Sequence, residues 1–300
     1  MTAHRPTLLF GSYSHKGPRE TNEDTVLSIG LADGRRLVAV ADGMGGLTKG
    51  ELAGKTALGA LYRHLNEGVG LKEAMAEANA AVHKEAKGQE MGTTLVAAVL
   101  SGAAAEIANV GDSRAYHLDP LGLVQVTRDH TLGEEAIQNG TVTEEEMASS
   151  PLAGALTRYL GSGERVEADL FGPVEIHEGG WLLLCSDGLY KVFSDEELES
   201  RLTSEVDPED AARGLVDGAL ERETSDNVSA VLVFRSEEED EGPIPTAATE
   251  TPSAPWNPEK YISKSRPMRK KKKWGPLALR IFLILIPLLI GLVLALRWWF

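Results

Sequence analysis

The stretch LVAVADGMGGLTKG, residues 37–50, decides how the first half of the chain is organised. Its apolar run, Leu37–Ala41, has the composition of a buried strand and delivers one carboxylate, Asp42, into a glycine-rich loop. Such a loop is a phosphate cradle, a metal site or a tight turn. A Walker-type cradle needs Lys-Ser or Lys-Thr after its last glycine, whereas Leu-Thr-Lys follows Gly46, which disfavours the first alternative.

Asp residues stand at the ends of other apolar runs as well. Asp112, Asp187 and Asp226 lie in GDSR, SDGL and SDNVS, and Asn22-Glu23-Asp24 adds two more carboxylates. Each motif alone is ordinary turn chemistry. Carboxylates that converge on one edge of a sheet repel one another unless cations lie among them. Mg²⁺ or Mn²⁺ answers that requirement with oxygen ligands, and the lack of Cys clusters and His spacing argues against zinc.

The pattern of elements favours an antiparallel α+β fold. Two consecutive helices are predicted over 49–66 and 71–87, and later ones over 132–138, 144–148, 194–202 and 208–221. Strands are predicted over 7–12, 26–29, 37–41, 93–100, 106–109, 114–118, 123–127, 166–176, 181–186 and 228–234. Helices occur in pairs between sets of strands, which is not the alternation of βαβ units.

Composition limits the class of protein. The 300 residues suffice for one large domain or two small ones, and the single cysteine, Cys185, excludes a disulfide framework. Residues after 235 hold 10 Lys and Arg against 7 Asp and Glu, which leaves 20 against 38 before them. The first 235 residues therefore carry a net charge of −18, and we expect no nucleic-acid partner.

The C-terminal residues predict a membrane anchor. Residues 277–300, LALRIFLILIPLLIGLVLALRWWF, form an apolar segment long enough to span a bilayer as one helix. The basic run 264–273 precedes it and, by the positive-inside rule, places the large domain on the cytoplasmic side, with this run against anionic lipids. We expect three regions: 1–235 as the catalytic domain, 236–276 as a disordered linker with this juxtamembrane run, and 277–300 as the transmembrane helix.

Eight motifs together resemble a known family. In chain order they are SHKGPRETNED (14–24), ADGMGG (41–46), GTTL (92–95), GDSR (111–114), TRDH (127–130), LTRYLG (156–161), SDGL (186–189) and SDNVS (225–229). This order is similar to that of the metal-dependent serine/threonine protein phosphatases of the protein phosphatase 2C-like family, in its bacterial form. The resemblance covers residues 8–235 and implies a four-layer αββα sandwich of two antiparallel sheets flanked by helix pairs.

The resemblance also implies roles for individual residues. Asp42 matches the aspartate that bridges two metal ions, and the Gly43 carbonyl would bind one of them. Asp187 and Asp226 match ligands of the other ion, Glu23 matches a carboxylate reached through water, and Asp24 supports these ligands. Arg19 matches the arginine that holds the substrate phosphate, because its planar fork fits two phosphoryl oxygens. Two Mn²⁺ or Mg²⁺ ions would activate a hydroxide that attacks phosphorus in line.

Two positions depart from the family pattern. Met44 stands where eukaryotic members often have a histidine, as is common in the bacterial form. Lys191 stands where the family usually has an acidic residue that contributes, with the counterpart of Asp112, to a third metal ion. Asp112 is therefore a candidate ligand of a third ion, and Lys191 a candidate replacement for part of that charge.

The functional expectation is a phosphoserine and phosphothreonine protein phosphatase on the inner face of a bacterial membrane. Its partners would be phosphorylated proteins, including substrates of a membrane Ser/Thr kinase and that kinase itself, and membrane lipids through residues 264–300. Two alternatives stay open at this point. One is a catalytically silent module that binds phosphorylated proteins, and the other is the same enzyme acting on a phosphorylated anti-sigma antagonist.

Overall fold

Two five-stranded antiparallel sheets, stacked face to face, form the centre of the molecule. We describe residues 7–46, 49–148 and 150–236 of a computed structural model. The strands are β1 (Leu8–His15), β2 (Thr25–Gly30), β3 (Arg36–Ala41), β4 (Gly43–Met44), β5 (Gly92–Thr93), β6 (Leu95–Ser101), β7 (Ala104–Val110), β8 (Arg114–Asp119), β9 (Gly122–Gln125), β10 (Asp169–Glu175), β11 (Trp181–Cys185) and β12 (Val228–Arg235). The first sheet has the order β1-β12-β11-β8-β9 and the second β10-β7-β6-β3-β2, while β4 and β5 pair separately.

Helices cover the outer face of each sheet. The helices of the described residues are α1 (Lys49–Asn66), α2 (Leu71–Ala86), α3 (Leu132–Gln138), α4 (Glu144–Ala148), α5 (Asp187–Tyr190), α6 (Asp195–Thr203) and α7 (Pro208–Glu221), of which α1, α2, α6 and α7 cover the sheets. The side chains of α1 and α2 share a buried cluster with the second sheet, and those of α6 and α7 share one with the first. A third buried cluster joins the two sheets. The α+β sandwich of two antiparallel sheets flanked by helices is thereby confirmed.

The burial of β3 on both of its faces explains why its sequence is apolar without interruption. Val38 and Val40 belong to the cluster between the sheets, whereas Leu37, Ala39 and Ala41 belong to the cluster under α1 and α2. Successive side chains of a strand point to opposite faces, so a strand buried on both faces has no position for a polar residue. The first polar side chain after this run, Asp42, is therefore placed where the strand leaves the core.

The structure corrects several predicted boundaries. The loop after Asp42 contains the short strand β4, which pairs Gly43 with Thr93 and Met44 with Gly92, so the predicted strand 93–100 is divided into β5 and β6. The SDGL motif, predicted as a turn, begins the one-turn helix α5 at Asp187. The predicted strand 166–176 is regular only from Asp169 and its register shifts between Phe171 and Val174, where Pro173 has no N–H to donate.

The predicted linker and membrane anchor lie outside the described residues. Within the described ranges, the last strand ends at Arg235, and no helix there combines the length and hydropathy that a membrane crossing requires. The anchor over 277–300 and the domain boundaries drawn from it therefore stay predictions.

The contact of β1 with α7 gives the first prediction. A methyl group added at Gly11 would stand 2.0 Å from the Pro208 carbonyl oxygen in the first turn of α7. We expect Gly11→Ala to lower the free energy of unfolding by about 3 kcal/mol, because this overlap is with backbone that cannot rotate away. Gly30→Ala, whose added methyl meets nothing within 4 Å, is the control and should change it by less than about 0.5 kcal/mol. Chemical denaturation followed by circular dichroism measures both, and equal midpoints would contradict the packing described.

Candidate metal centre and active site

One cleft lies where β3 and β11 end and where β2 and β12 begin. A cavity of about 500 Å³ is lined there by all seven residues predicted to touch metal or phosphate: Arg19, Glu23, Asp42, Gly43, Asp112, Asp187 and Asp226. The eighth predicted residue, Asp24, lies beneath it and is only 6% exposed. A larger cavity, about 860 Å³, lies at the opposite ends of β8 and β12, and none of its described lining residues is basic. The cleft is therefore the place where the predicted chemistry converges.

Hydrogen bonds from two motifs fix the backbone of Asp42. Its carbonyl oxygen accepts from the Thr94 N–H at 2.8 Å and from the Thr93 hydroxyl at 3.0 Å. Its N–H donates to Thr94 Oγ1 at 3.1 Å, and that hydroxyl is 2.7 Å from Ser113 Oγ. GTTL and GDSR thus hold the residue from behind and leave its carboxylate on the cleft.

The glycine after Asp42 is required by close packing. A methyl group added at Gly43 would stand 2.3 Å from the Gly50 carbonyl group at the start of α1 and 2.7 Å from the Glu23 carbonyl oxygen. One added at Gly50 would stand 2.1 Å from Glu23 Oε2. Three chain segments therefore meet at this point, which brings the Glu23 carboxylate against the loop of Asp42.

Basic side chains contact the two aspartates of the first sheet. Arg19 donates from Nη2 to Asp226 Oδ2 at 2.7 Å and from Nε to the Ser225 carbonyl oxygen at 3.0 Å. Lys191 donates to Asp187 Oδ2 across one turn of helix. Asp187 is placed by the start of α5, for which Ser186 is the N-cap residue. Each of these aspartates consequently shares the cleft with one permanent cation.

Asp24 is tied to both strands that carry the other carboxylates. Its Oδ2 accepts hydrogen bonds from Ser186 Oγ and Ser229 Oγ, each at 2.7 Å. Burial raises the pKa of Asp24 to about 7, although the two hydroxyl donors act in the opposite direction. This geometry agrees with a supporting position below the ligands.

Asn227 joins the cleft loops and was not predicted as a site residue. Its side-chain amide donates to the carbonyl oxygens of Lys16 at 2.8 Å and Thr21 at 3.0 Å, and its Oδ1 accepts from the Glu23 N–H at 2.8 Å. The loop that carries Arg19 and Glu23 is thereby fixed to the start of β12. The available signal was the amide beside Asp226 in SDNVS, but only the fold shows what it reaches.

Burial of the carboxylates dominates the electrostatics of the cleft, and the charges of neighbouring carboxylates add to its effect. Burial raises the pKa of Asp42 well above its usual range, and the neighbouring carboxylates, Asp24 first among them, add to the rise. Burial likewise raises the pKa of Asp112 to about 6, with the Asp187 charge acting in the same direction. The pKa of Glu23 is also raised, again chiefly by burial. Such shifts are typical of a site that needs additional positive charge.

The donor set fits hard divalent cations. The ligands on offer are oxygens, and two buried carboxylate oxygens, Asp187 Oδ1 and Asp24 Oδ1, have no hydrogen-bond partner in the described part of the chain. Uncompensated buried carboxylate oxygens are costly, and Mg²⁺ or Mn²⁺ would satisfy them. Among the described residues no three Asp, Glu, His or Cys side chains already form a closed ligand set. Asp187 thus offers Oδ1 to an ion while its Oδ2 accepts from Lys191.

Other motif residues serve the scaffold. Arg114 of GDSR forms a two-pronged ion pair with Asp129 of TRDH, at 3.0 and 2.8 Å, and stacks on the Tyr190 ring of α5. His130 exchanges hydrogen bonds with Gly111 and, being buried, has a lowered pKa. Cys185 is fully buried in β11. These residues position the cleft from outside it.

Comparison with known proteins decides the family. Residues 12–222 match the sequence profile of Protein phosphatase 2C. The chain belongs to the protein phosphatase 2C family. It is 34% identical over 232 residues to the serine/threonine phosphatase Stp of Listeria welshimeri, a match that covers 73% of this chain and 92% of that protein. The predicted family and the enzyme class, a protein serine/threonine phosphatase, are thereby confirmed.

Solved structures agree with this assignment. The crystal structure of the Mycobacterium tuberculosis serine/threonine phosphatase PstP/Ppp matches with a TM-score of 0.67 and 34% identity, covering 76% of this chain and 99% of that one. A structure of the PstP catalytic domain in complex with two manganese ions matches with a TM-score of 0.65 and 32% identity, covering 77% of this chain and all of that one. Metal dependence thus follows for this phosphatase 2C member from its family.

The raised pKa of Asp42 predicts that ionisation of this residue lowers the stability of the folded protein in a pH-dependent way. A raised pKa in the folded state means that the unfolded chain releases its proton first, so stability is lost as pH rises from the ordinary value of 3.8 through the folded value. In EDTA, Asp42→Asn should therefore raise the melting temperature at pH 8, and this gain should vanish near pH 4. Glu106→Gln, at an exposed position of β7, is the control for loss of one charge.

Calorimetry at both pH values, with and without Mn²⁺, provides the measurement. Mn²⁺ should stabilise the wild type more than Asp42→Asn. An Asp42→Asn gain that is as large at pH 4 as at pH 8 would contradict the electrostatic origin.

Proposed function

We propose that this chain is a Mn²⁺- or Mg²⁺-dependent phosphoserine and phosphothreonine protein phosphatase held at the cytoplasmic face of a bacterial membrane. The observation that carries the catalytic part is the convergence of Arg19, Asp42, Asp187 and Asp226 on one cavity. The names of the matched relatives, which are serine/threonine phosphatases, support the substrate class. Opposition to a membrane Ser/Thr kinase is part of the proposal.

The proposed ligand roles are those that the family resemblance implies. Asp42 would be shared by two ions, with the Gly43 carbonyl on one and Asp187 and Asp226 on the other, and Glu23 would act through water. Two such ions, when bound, supply an activated water and neutralise charge on the phosphoryl oxygens. Asp24, just before β2 of the second sheet, is tied through Ser186 and Ser229 to β11 and β12 of the first sheet, which adjoin Asp187 and Asp226.

Arg19 is the group that would hold the substrate phosphate. Its side chain is 56% exposed at the rim of the cleft, and its guanidinium carries five N–H donors in a plane. On moving from Asp226 to the substrate, the guanidinium would bind two phosphoryl oxygens through these donors. Arg19 would thus orient phosphorus above the carboxylates and offset the charge of the phosphate.

The path of β12 bears on the proposed membrane attachment. This strand starts beside the cleft, at Val228, and ends seven residues later at Arg235, a distance of about 23 Å. The chain therefore leaves the sandwich at the end opposite the cleft. The linker over 236–263, the basic run 264–273 on anionic lipids and the helix 277–300 would continue the chain from this point to the membrane.

Hydrolysis of p-nitrophenyl phosphate and of a phosphothreonine peptide by the full chain tests the catalytic proposal. We expect turnover with Mn²⁺ or Mg²⁺, none in EDTA, and a loss of at least about 100-fold in Asp42→Ala, since the shared ligand is removed. Glu106→Ala, which removes a carboxylate far from the cleft, should keep wild-type rates. A folded wild-type protein without turnover under any metal would instead favour the silent binding module.

Extraction of membranes from expressing cells tests the anchor. The full chain should stay in the pellet after washes with 1 M salt and with alkaline carbonate, because a spanning helix is held by its apolar surface and not by charge. The double variant Leu288→Arg, Leu289→Arg should weaken this retention, since charges in the middle of a spanning segment are costly. Release of the wild type by salt alone would show that only the basic run 264–273 attaches it.

A further inference from the structure

Lys191 is a cation inside the cleft to which the proposed reaction gives no role. It follows α5 directly, four residues after Asp187, and its ammonium group donates to Asp187 Oδ2. The Lys191 side chain is 54% exposed, whereas that of Asp187 is 13% exposed. The ammonium therefore reaches from the rim onto a carboxylate that is itself almost buried.

Its position lies between two aspartates. Lys191, Asp112 and Gly154 line both the cleft and an adjoining cavity of about 280 Å³. Asp112 is 7% exposed, and its carboxylate interacts with the charges of both Asp187 and Lys191. The Lys191 ammonium thus offsets negative charge on the side of the cleft formed by Asp112 and Asp187. Arg19 does the same on the side of Asp226.

The charges of the residues that line the cleft show how much Lys191 changes the demand for cations. The described lining of the cleft contains two basic residues, Arg19 and Lys191, and six acidic ones: Glu20, Glu23, Asp42, Asp112, Asp187 and Asp226. With all of them ionised the lining carries a charge of −4, and Asp24 beneath it adds a further negative charge when it ionises. With an acidic residue in place of Lys191 the lining charge would be −6, which favours an additional divalent ion.

We propose that Lys191 is a resident cation that limits the centre to two divalent ions by occupying the Asp112–Asp187 side. The inference rests on the proposed function for the two ions themselves. It assigns Lys191 a positioning role, because the ammonium acts through Asp187 and Asp112 and does not touch the phosphoryl group.

A purely structural salt bridge predicts something different. An ion pair between residues four apart on a partly exposed helical turn contributes little to stability, and its loss would leave metal binding unchanged. The number of bound ions and their affinity therefore separate the two explanations, whereas a melting temperature does not.

Mn²⁺ binding to the full chain provides the test, with the bound ions counted by electron paramagnetic resonance and the affinities measured by calorimetry. The wild type and Lys191→Arg should bind two ions, and Lys191→Asp three. Lys191→Gln, which keeps a polar side chain of nearly the same length without the charge, should bind Mn²⁺ about tenfold more tightly, because a positive charge that repels the ion is removed. Lys72→Asp, on an exposed position of α2, is the control for net charge and should match the wild type.

The outcomes are distinct. Three ions on the wild type, or unchanged count and affinity in both Lys191→Asp and Lys191→Gln, would overturn the role of Lys191 and leave the phosphatase proposal intact. Absence of Mn²⁺ binding by the folded wild type would instead overturn the two-ion centre on which the inference rests.

Discussion

Repulsion among buried carboxylates is the constraint on which the rest of the structure depends. Asp42, Asp24 and Asp112 have raised pKa values because burial, and after it the charges of neighbouring carboxylates, oppose their ionisation. A chain free to relax would separate these groups. They stay together because β2, β3 and β7, which they adjoin, are strands with buried side chains on both faces, and the free energy of that burial holds their ends in place. Burial of the apolar core thus supplies the free energy that keeps the acidic side chains in one cleft.

Buried polar side chains connect the core to the site residues through hydrogen bonds. Thr94 and Ser113 fix the backbone of Asp42, Ser186 and Ser229 hold Asp24, and Asn227 fixes the loop that carries Arg19. Each is buried and hydrogen-bonded, so its loss would leave an unsatisfied partner. A site that costs stability in this way is common where ligands are preorganised for function.

The sequence predicted best those elements in which the apolar periodicity extends over the whole element. Helices α1, α3, α4 and α7 have the predicted bounds; apolar spacing marks α1, and the N-cap residues Thr131 and Asp207 mark the starts of α3 and α7. The one-turn helix α5 and the paired residues of β4 and β5 were not predicted, since two to four residues contain no period and depend on tertiary contacts. The candidate ligands could be named from strand-end aspartates and the family motifs. The roles of Asn227 and Ser229 could not, because their partners are about 200 residues away in sequence.

The two basic side chains of the cleft, Arg19 and Lys191, differ in whether they can leave their carboxylate partner for the substrate phosphate. Arg19 lies in a loop and contacts Asp226 from the rim, whereas Lys191 follows the helix that starts with Asp187 and is bound to that same residue. Under the proposed function, a phosphate that draws Arg19 toward itself releases an oxygen of Asp226 to an ion, so phosphate and metal favour each other's binding. By thermodynamic linkage the effect is reciprocal. Lys191 has no such alternative partner in the reaction, and its charge therefore sets a fixed background against which the exchangeable ions bind.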